Sequence, residues 1–145
     1  MRIETSRFGL LDLEESVFIH FPWGIPGFEQ LKHYVLLEHR QGPFRWLQAT
    51  EDAHVAFLVC PAEHMGFKYR VPEEQTSAIG LKQTEDLVVL IMVSFDREQK
   101  SIRPHLQGPL LFNAAMRLAC QWIVDPAELP SYLEKTNGNG QAGLH

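Results

Sequence analysis

The chain has 145 residues, 45% of them hydrophobic and 21% charged, a balance that excludes a disordered chain and suits one domain with its own core. Its formal net charge is −5, from 13 Lys and Arg against 18 Asp and Glu. That argues against a nucleic-acid backbone as partner, because phosphate binding needs a basic surplus.

The predicted elements are mostly strands. Met1-Arg2-Ile3-Glu4-Thr5-Ser6-Arg7 lacks the apolar run of a signal peptide. Val17, Ile19 and Phe21 alternate with Phe18 and His20, giving a strand with one apolar face. Residues 34–37, 44–47 and 55–59 are short aromatic or branched runs between polar and Gly/Pro punctuation. Pro72-Glu73-Glu74-Gln75 reads as a short helical turn, with Pro at the first position and carboxylates near the positive dipole end. A second short turn is expected at residues 29–32. The longest apolar run, residues 87–93, reads as a strand buried on both faces and is far shorter than a membrane span of ~18 residues. After the polar turn 96–100, residues 101–106 pair back as a hairpin, and residues 110–112 follow Gly108-Pro109. Residues 113–121 contain good helix formers. The alternation of Leu118, Cys120, Trp122 and Val124 instead favours a strand over 117–124.

Many short strands at ~8–12-residue spacing predict an all-β, mainly antiparallel fold, a small barrel-like domain with one or two short helical turns. Residues 1–135 form that domain, and 136–145, poor in apolar residues until Leu144, form a flexible C-terminal tail. Cys60 and Cys120 each lie in an apolar segment and read as buried, reduced thiols of a cytoplasmic protein.

Enzyme signals are weak. The seven histidines include no pair at the HxH or HxxxH spacing that one strand or helix face would use for a metal. The phosphate-cradling and nucleophile-elbow motifs and the CxxC pair are absent from the sequence. Adjacent carboxylates at Glu14-Glu15, Glu73-Glu74 and Glu85-Asp86 point to opposite faces of a strand and read as solvated turn charges. The expectation is no catalytic residue, no metal and no cofactor. An alternative is a small β-barrel holding a small ligand in an aromatic-lined cavity.

Phe21-Pro22-Trp23-Gly24-Ile25-Pro26-Gly27-Phe28 stands apart. Two prolines and two glycines in eight positions fix one backbone path, and three aromatics ride on it. Such a loop either plugs one end of a barrel with Phe28 or Trp23, or offers a stiff apolar surface to a partner at low entropic cost.

From this loop onward the sequence resembles the FliW family of flagellar assembly factors. Residues 21–29 and Tyr34-Val35-Leu36-Leu37 are similar to its F-x-x-G-[LI]-P-G-F and [FY]-V-L-L signature. Pro43-Phe44-Arg45-Trp46-Leu47-Gln48-Ala49, Val55-Ala56-Phe57-Leu58-Val59, Leu87-Val88-Val89-Leu90 and Leu106-Gln107-Gly108-Pro109-Leu110-Leu111-Phe112-Asn113 then follow in the family's order. The resemblance implies a non-enzymatic monomer that binds the translational regulator CsrA, relieving repression of flagellin mRNA, and that binds flagellin in a partner switch. It implies no direct nucleic-acid binding and no membrane contact. The partner-binding candidates are Glu73 and Glu74, facing the basic surface of CsrA, Tyr69 and Arg70 beside them, and Ile25 and Phe28 on the stiff loop.

Overall fold

A computed structural model describes residues 1–39 and 42–136. The proposed tail lies, apart from Thr136, outside the described residues. The chain opens with a hairpin of β1 (Arg2–Thr5) and β2 (Gly9–Asp12), then runs through β3 (Ile19–His20), β4 (His33–Glu38), β5 (Arg45–Ala49), β6 (Ala56–Pro61) and β7 (Phe67–Tyr69). Helix α1 (Glu73–Ala78) leads to β8 (Leu87–Asp96), β9 (Ser101–Pro104), β10 (Leu110–Asn113) and β11 (Leu118–Gln121). A single helical turn, α2 (Leu129–Tyr132), precedes β12 (Leu133–Lys135), which pairs antiparallel with β7.

The main sheet runs β10-β11-β3-β4-β5-β6-β8, and β10 pairs again with β8, so the sheet closes into a ring. Closure removes most open edges. Among the described residues every pairing is antiparallel except the seam between β11 and β3, a parallel contact of Leu118 with His20. That seam is short, and the His20 N–H adds a 2.9 Å bond to the Arg117 carbonyl. β9 continues the edge that β10 starts, pairing with Val93–Asp96 beyond the ring.

Because side chains alternate along a strand, each strand feeds two cores. Ile19, Phe21, Tyr34, Leu47, Val59, Leu90, Leu110 and Phe112 fill the barrel. Phe21 packs edge-on to both Tyr34 (5.0 Å) and Phe112 (5.8 Å). The barrel is thus occupied by its own side chains. The outward neighbours Ile91, Leu111, Cys120, Trp122 and Val124 form a second cluster with Ile79 and Tyr69, under α1, α2 and the β7–β12 pair. A third, smaller cluster of Cys60, Met65 and Val93 sits near Leu58 and Ile102.

Most predicted strands are present. The segment 17–21 differs: Glu15–Val17 forms a 3-10 turn and only Ile19–His20 is strand. The physical cause is Arg117, whose guanidinium donates to the Phe18 carbonyl (2.9 Å) and the Val17 carbonyl (2.6 Å), satisfying groups a ladder would otherwise use. Residues 113–121 are not helical; a turn follows Asn113 and β11 begins at Leu118. In β8, Leu90 and Ile91 are buried on opposite faces, while Val88 remains exposed. The hairpin β1–β2 and the β7–β12 pair were not anticipated.

Tyr34 is fully buried, and its hydroxyl has no hydrogen-bond partner among the described residues. Burial first, and the Glu51 charge second, push its pKa from the ordinary 10.0 to about 12. The folded form therefore holds its proton where the unfolded chain releases it. The stability this group contributes is complete below its ordinary value and falls as pH rises towards about 12. Tyr34→Phe removes an unsatisfied polar atom and is expected to be neutral or stabilising by up to ~1 kcal/mol at neutral pH. It should also make the alkaline loss of stability shallower. Urea unfolding of both proteins at neutral and alkaline pH checks this; a loss above ~1 kcal/mol would show that the hydroxyl has a partner.

Candidate functional site

The Pro/Gly loop between β3 and β4 is folded by short backbone bonds. The Gly24 N–H donates to Phe21 O (2.9 Å), Phe28 N–H to Ile25 O (2.6 Å) and Phe21 N–H to Lys32 O (2.7 Å). Gly24 has φ +68, and a Cβ there would lie 2.6 Å from Glu29 Cα, so only glycine fits. The Gly27 N–H donates to Glu29 Oε2 at 2.9 Å. That bond, with a further one from the Glu29 backbone, holds the exposed Glu29 carboxyl below its usual range.

This path sorts the loop's apolar groups. Phe21 and Ile25 enter the barrel core, and Phe28 packs edge-on against Phe57 at 5.2 Å. Trp23 turns outward and is 56% exposed. The loop's ends thus plug the barrel while its tip faces solvent.

Helix α1 begins after Pro72 in extended conformation, with Glu73 and Glu74 exposed in its first turn. Its far end is held by Asn113, whose Nδ2 donates to the Ile79 carbonyl at 2.9 Å. Helix and loop meet across a groove of about 280 Å3 lined by Trp23, Pro26, Glu29, Gln75, Ala78 and Cys120. An exposed indole, a rigid loop and an acidic helix on one surface can recognise a protein face: the aromatic supplies contact area and the carboxylates supply charge complementarity.

The six predicted contact residues divide by placement. Glu73, Glu74 and Arg70 are exposed. Ile25 lies in the barrel core, Phe28 is half-buried, and Tyr69 is 7% exposed with its hydroxyl donating to Leu106 O at 2.6 Å. Arg70 is a clamp. Its guanidinium pairs with Glu134 Oε1 (2.8 Å) and donates to the Ser131 carbonyl, while its N–H donates to Tyr132 O. It fastens the chain after β7 to α2 and β12. Sequence reasoning did not single out Trp23 and Gln75 as site residues. Trp23 was visible as one of three loop aromatics, but composition could not say which of them points outward.

Cys60 and Cys120 are free and buried, and burial pushes both thiols up to about 11, so they are protonated and unreactive at neutral pH. Among the described residues, no three His, Cys, Asp or Glu side chains are placed to hold a metal ion. Several histidines take local partners instead. His20 stacks on His33 at 4.9 Å, His39 Nδ1 accepts from the Trp46 indole at 3.0 Å, and His54 Nδ1 lies 2.7 Å from Ser6 Oγ. No described helix is long and apolar enough to cross a membrane.

The chain resembles a coherent set of proteins. It is 34% identical over 144 residues to the flagellar assembly factor FliW of Caldicellulosiruptor saccharolyticus, covering 96% of this chain and 95% of that one. To the protein of the same name from Geotalea uraniireducens it is 32% identical over 127 residues, covering 86% and 78%. A crystal structure of the flagellar assembly factor FliW superimposes with a TM-score of 0.80 over 94% of both chains at 22% identity, which establishes the shared fold. The family profile described as FliW protein matches residues 2–133, and with these relatives it places the chain in the FliW family of flagellar assembly factors.

Proposed function

We propose that this protein is a cytoplasmic, non-enzymatic monomer that antagonises a CsrA-type translational regulator and so relieves repression of flagellin mRNA. Free flagellin competes for it, so unexported flagellin releases CsrA and stops further synthesis. Membership of the FliW family supports this reading. The observation that carries it further is the meeting of Trp23 with the acidic helix α1 around one groove. On this reading Glu73 and Glu74 face the basic RNA-binding surface of CsrA, and the chain's net charge of −5 steers the encounter. Arg70 lies at the margin of the contact. Tyr69, Ile25 and Phe28 act from beneath, fixing the helix and the loop.

The test is a calorimetric titration of the full chain with CsrA, with flagellin then added as competitor. The double variant Glu73→Lys, Glu74→Lys is expected to weaken CsrA binding at least about tenfold while leaving the fold intact, both residues being solvent-exposed. Unchanged affinity would remove α1 from the interface. Absence of any complex with either protein would remove the partner switch altogether.

A further inference from the structure

The barrel wall is split between β6 and β8. The two strands pair only from Val59 opposite Met92 to Pro61 opposite Leu90. Beyond the Val59–Met92 rung, residues 56–58 keep their partners on β5 and residues 93–96 keep theirs on β9, but the two stretches do not pair with each other. They flank a cleft of about 340 Å3 lined by Trp46, Phe57, Leu58, Met92, Phe95 and His105, among others.

Strand alternation gives this cleft two walls. Phe57 and Met92 belong to the barrel side, with Ser94 and His105 hydrogen-bonded to each other at 3.1 Å. Leu58 and Val93 belong to the outer side, with Trp46 opposite Leu58 in register and Phe95 following Val93. Phe95 is 59% exposed. Open strand edges are normally blunted by lysine or proline, and neither stretch carries one.

Two arginines border the cleft although the chain is acidic. The Arg7 guanidinium lies 4.0 Å over the Trp46 ring. Arg103 stands opposite Ser94 in register, while His105 lines the cleft and His39 adjoins Trp46. The carboxylate at that end of β8, Asp96, is engaged by the Glu98 and Gln99 N–H groups and by Arg103 at 3.5 Å.

We propose that this cleft is a docking site for an extended, acidic peptide segment of a protein partner. The segment adds main-chain pairing to the open edges of β6 and β8, which is strand addition. Its alternate apolar side chains cover the Trp46, Leu58 and Phe95 wall, and its carboxylates meet Arg7 and Arg103. The site is separate from the surface around α1. β8 begins at Leu87, opposite the Asn113 that holds α1, and the cleft lies at the other end of the same strand.

The test pans a displayed library of random peptides on the full chain and titrates the best synthetic binder by amide NMR. The expected consensus alternates apolar residues with Asp or Glu. Shifts are expected at Phe57, Leu58, Ser94 and Phe95, and affinity should fall as salt rises. Phe95→Asp, at an exposed position, should weaken this peptide at least about tenfold. The Glu73→Lys, Glu74→Lys variant should bind it unchanged, which separates this site from the CsrA surface. An enriched peptide lacking acidic alternation, shifts confined to other strands, full binding by Phe95→Asp, or no enrichment at all would overturn the proposal.

Discussion

Gly24→Val is expected to lower stability by about 4 kcal/mol, the largest single-residue effect on the loop that carries Trp23. Two costs add. A left-handed φ of +68 costs an L side chain roughly 1–2 kcal/mol. The new Cβ would also lie 2.6 Å from Glu29 Cα and 2.7 Å from its carbonyl oxygen, both backbone atoms that cannot swing aside. Relief requires the loop to open, which breaks the Gly24–Phe21 bond and pulls at Phe21 and Ile25 in the barrel core. Gly27→Ala is the internal control: its φ is +91, but an added Cβ meets nothing within 4 Å, so only the conformational cost of about 1 kcal/mol applies. Urea unfolding of both variants measures the difference. Equal losses would mean that the close approach to Glu29 yields easily and the loop is not rigid.

That contrast shows where the sequence was legible. The barrel strands were readable because a strand with a core on each side becomes a short apolar run bounded by turn signals, as in residues 34–37 and 110–112. The turn at Pro72 was readable because proline and two carboxylates act locally. β7 and β12 were not. Each is three residues long, too short to show a period, and their pairing joins Tyr69 to Leu133 across the chain. β1 and β2 were missed because only Ile3 and Thr5 of that hairpin are buried.

The site was legible in part for the same reason. The loop was found by its glycines and prolines, and the acidic turn by its charge. Which loop side chain faces solvent depends on the φ values of Gly24 and Gly27, which composition does not contain. Tyr69 and Arg70 are adjacent in sequence but opposite in role. Strand alternation sends the tyrosine inward to Leu106 and the arginine outward to Glu134. The groove under Trp23 and the split beside β6 were both invisible, since each arises from segments brought together only by ring closure.

Asn113→Ala is the second large effect, expected at about 3 kcal/mol. The side chain is 2% exposed and serves three backbone groups. Its Nδ2 donates to Ile79 O at 2.9 Å, and its Oδ1 accepts from Ala115 N (3.1 Å) and Met116 N (3.3 Å). Alanine leaves the buried Ile79 carbonyl without its donor, at a cost of roughly 1–3 kcal/mol, and frees two part-buried turn N–H groups from their acceptor. Asn113→Asp keeps the acceptor but sets a second oxygen against the Ile79 carbonyl, so it should not rescue. The loss has a local signature too. Ile79 ends α1, so amide exchange across residues 73–78 should rise more than exchange in β4 or β5, which do not pair with the strand of Asn113. If the proposed CsrA contact uses α1, this variant should also weaken that binding without changing a surface charge. A stability loss below about 1 kcal/mol with α1 still protected would mean that Ile79, packed in the outer core, holds the helix without the asparagine.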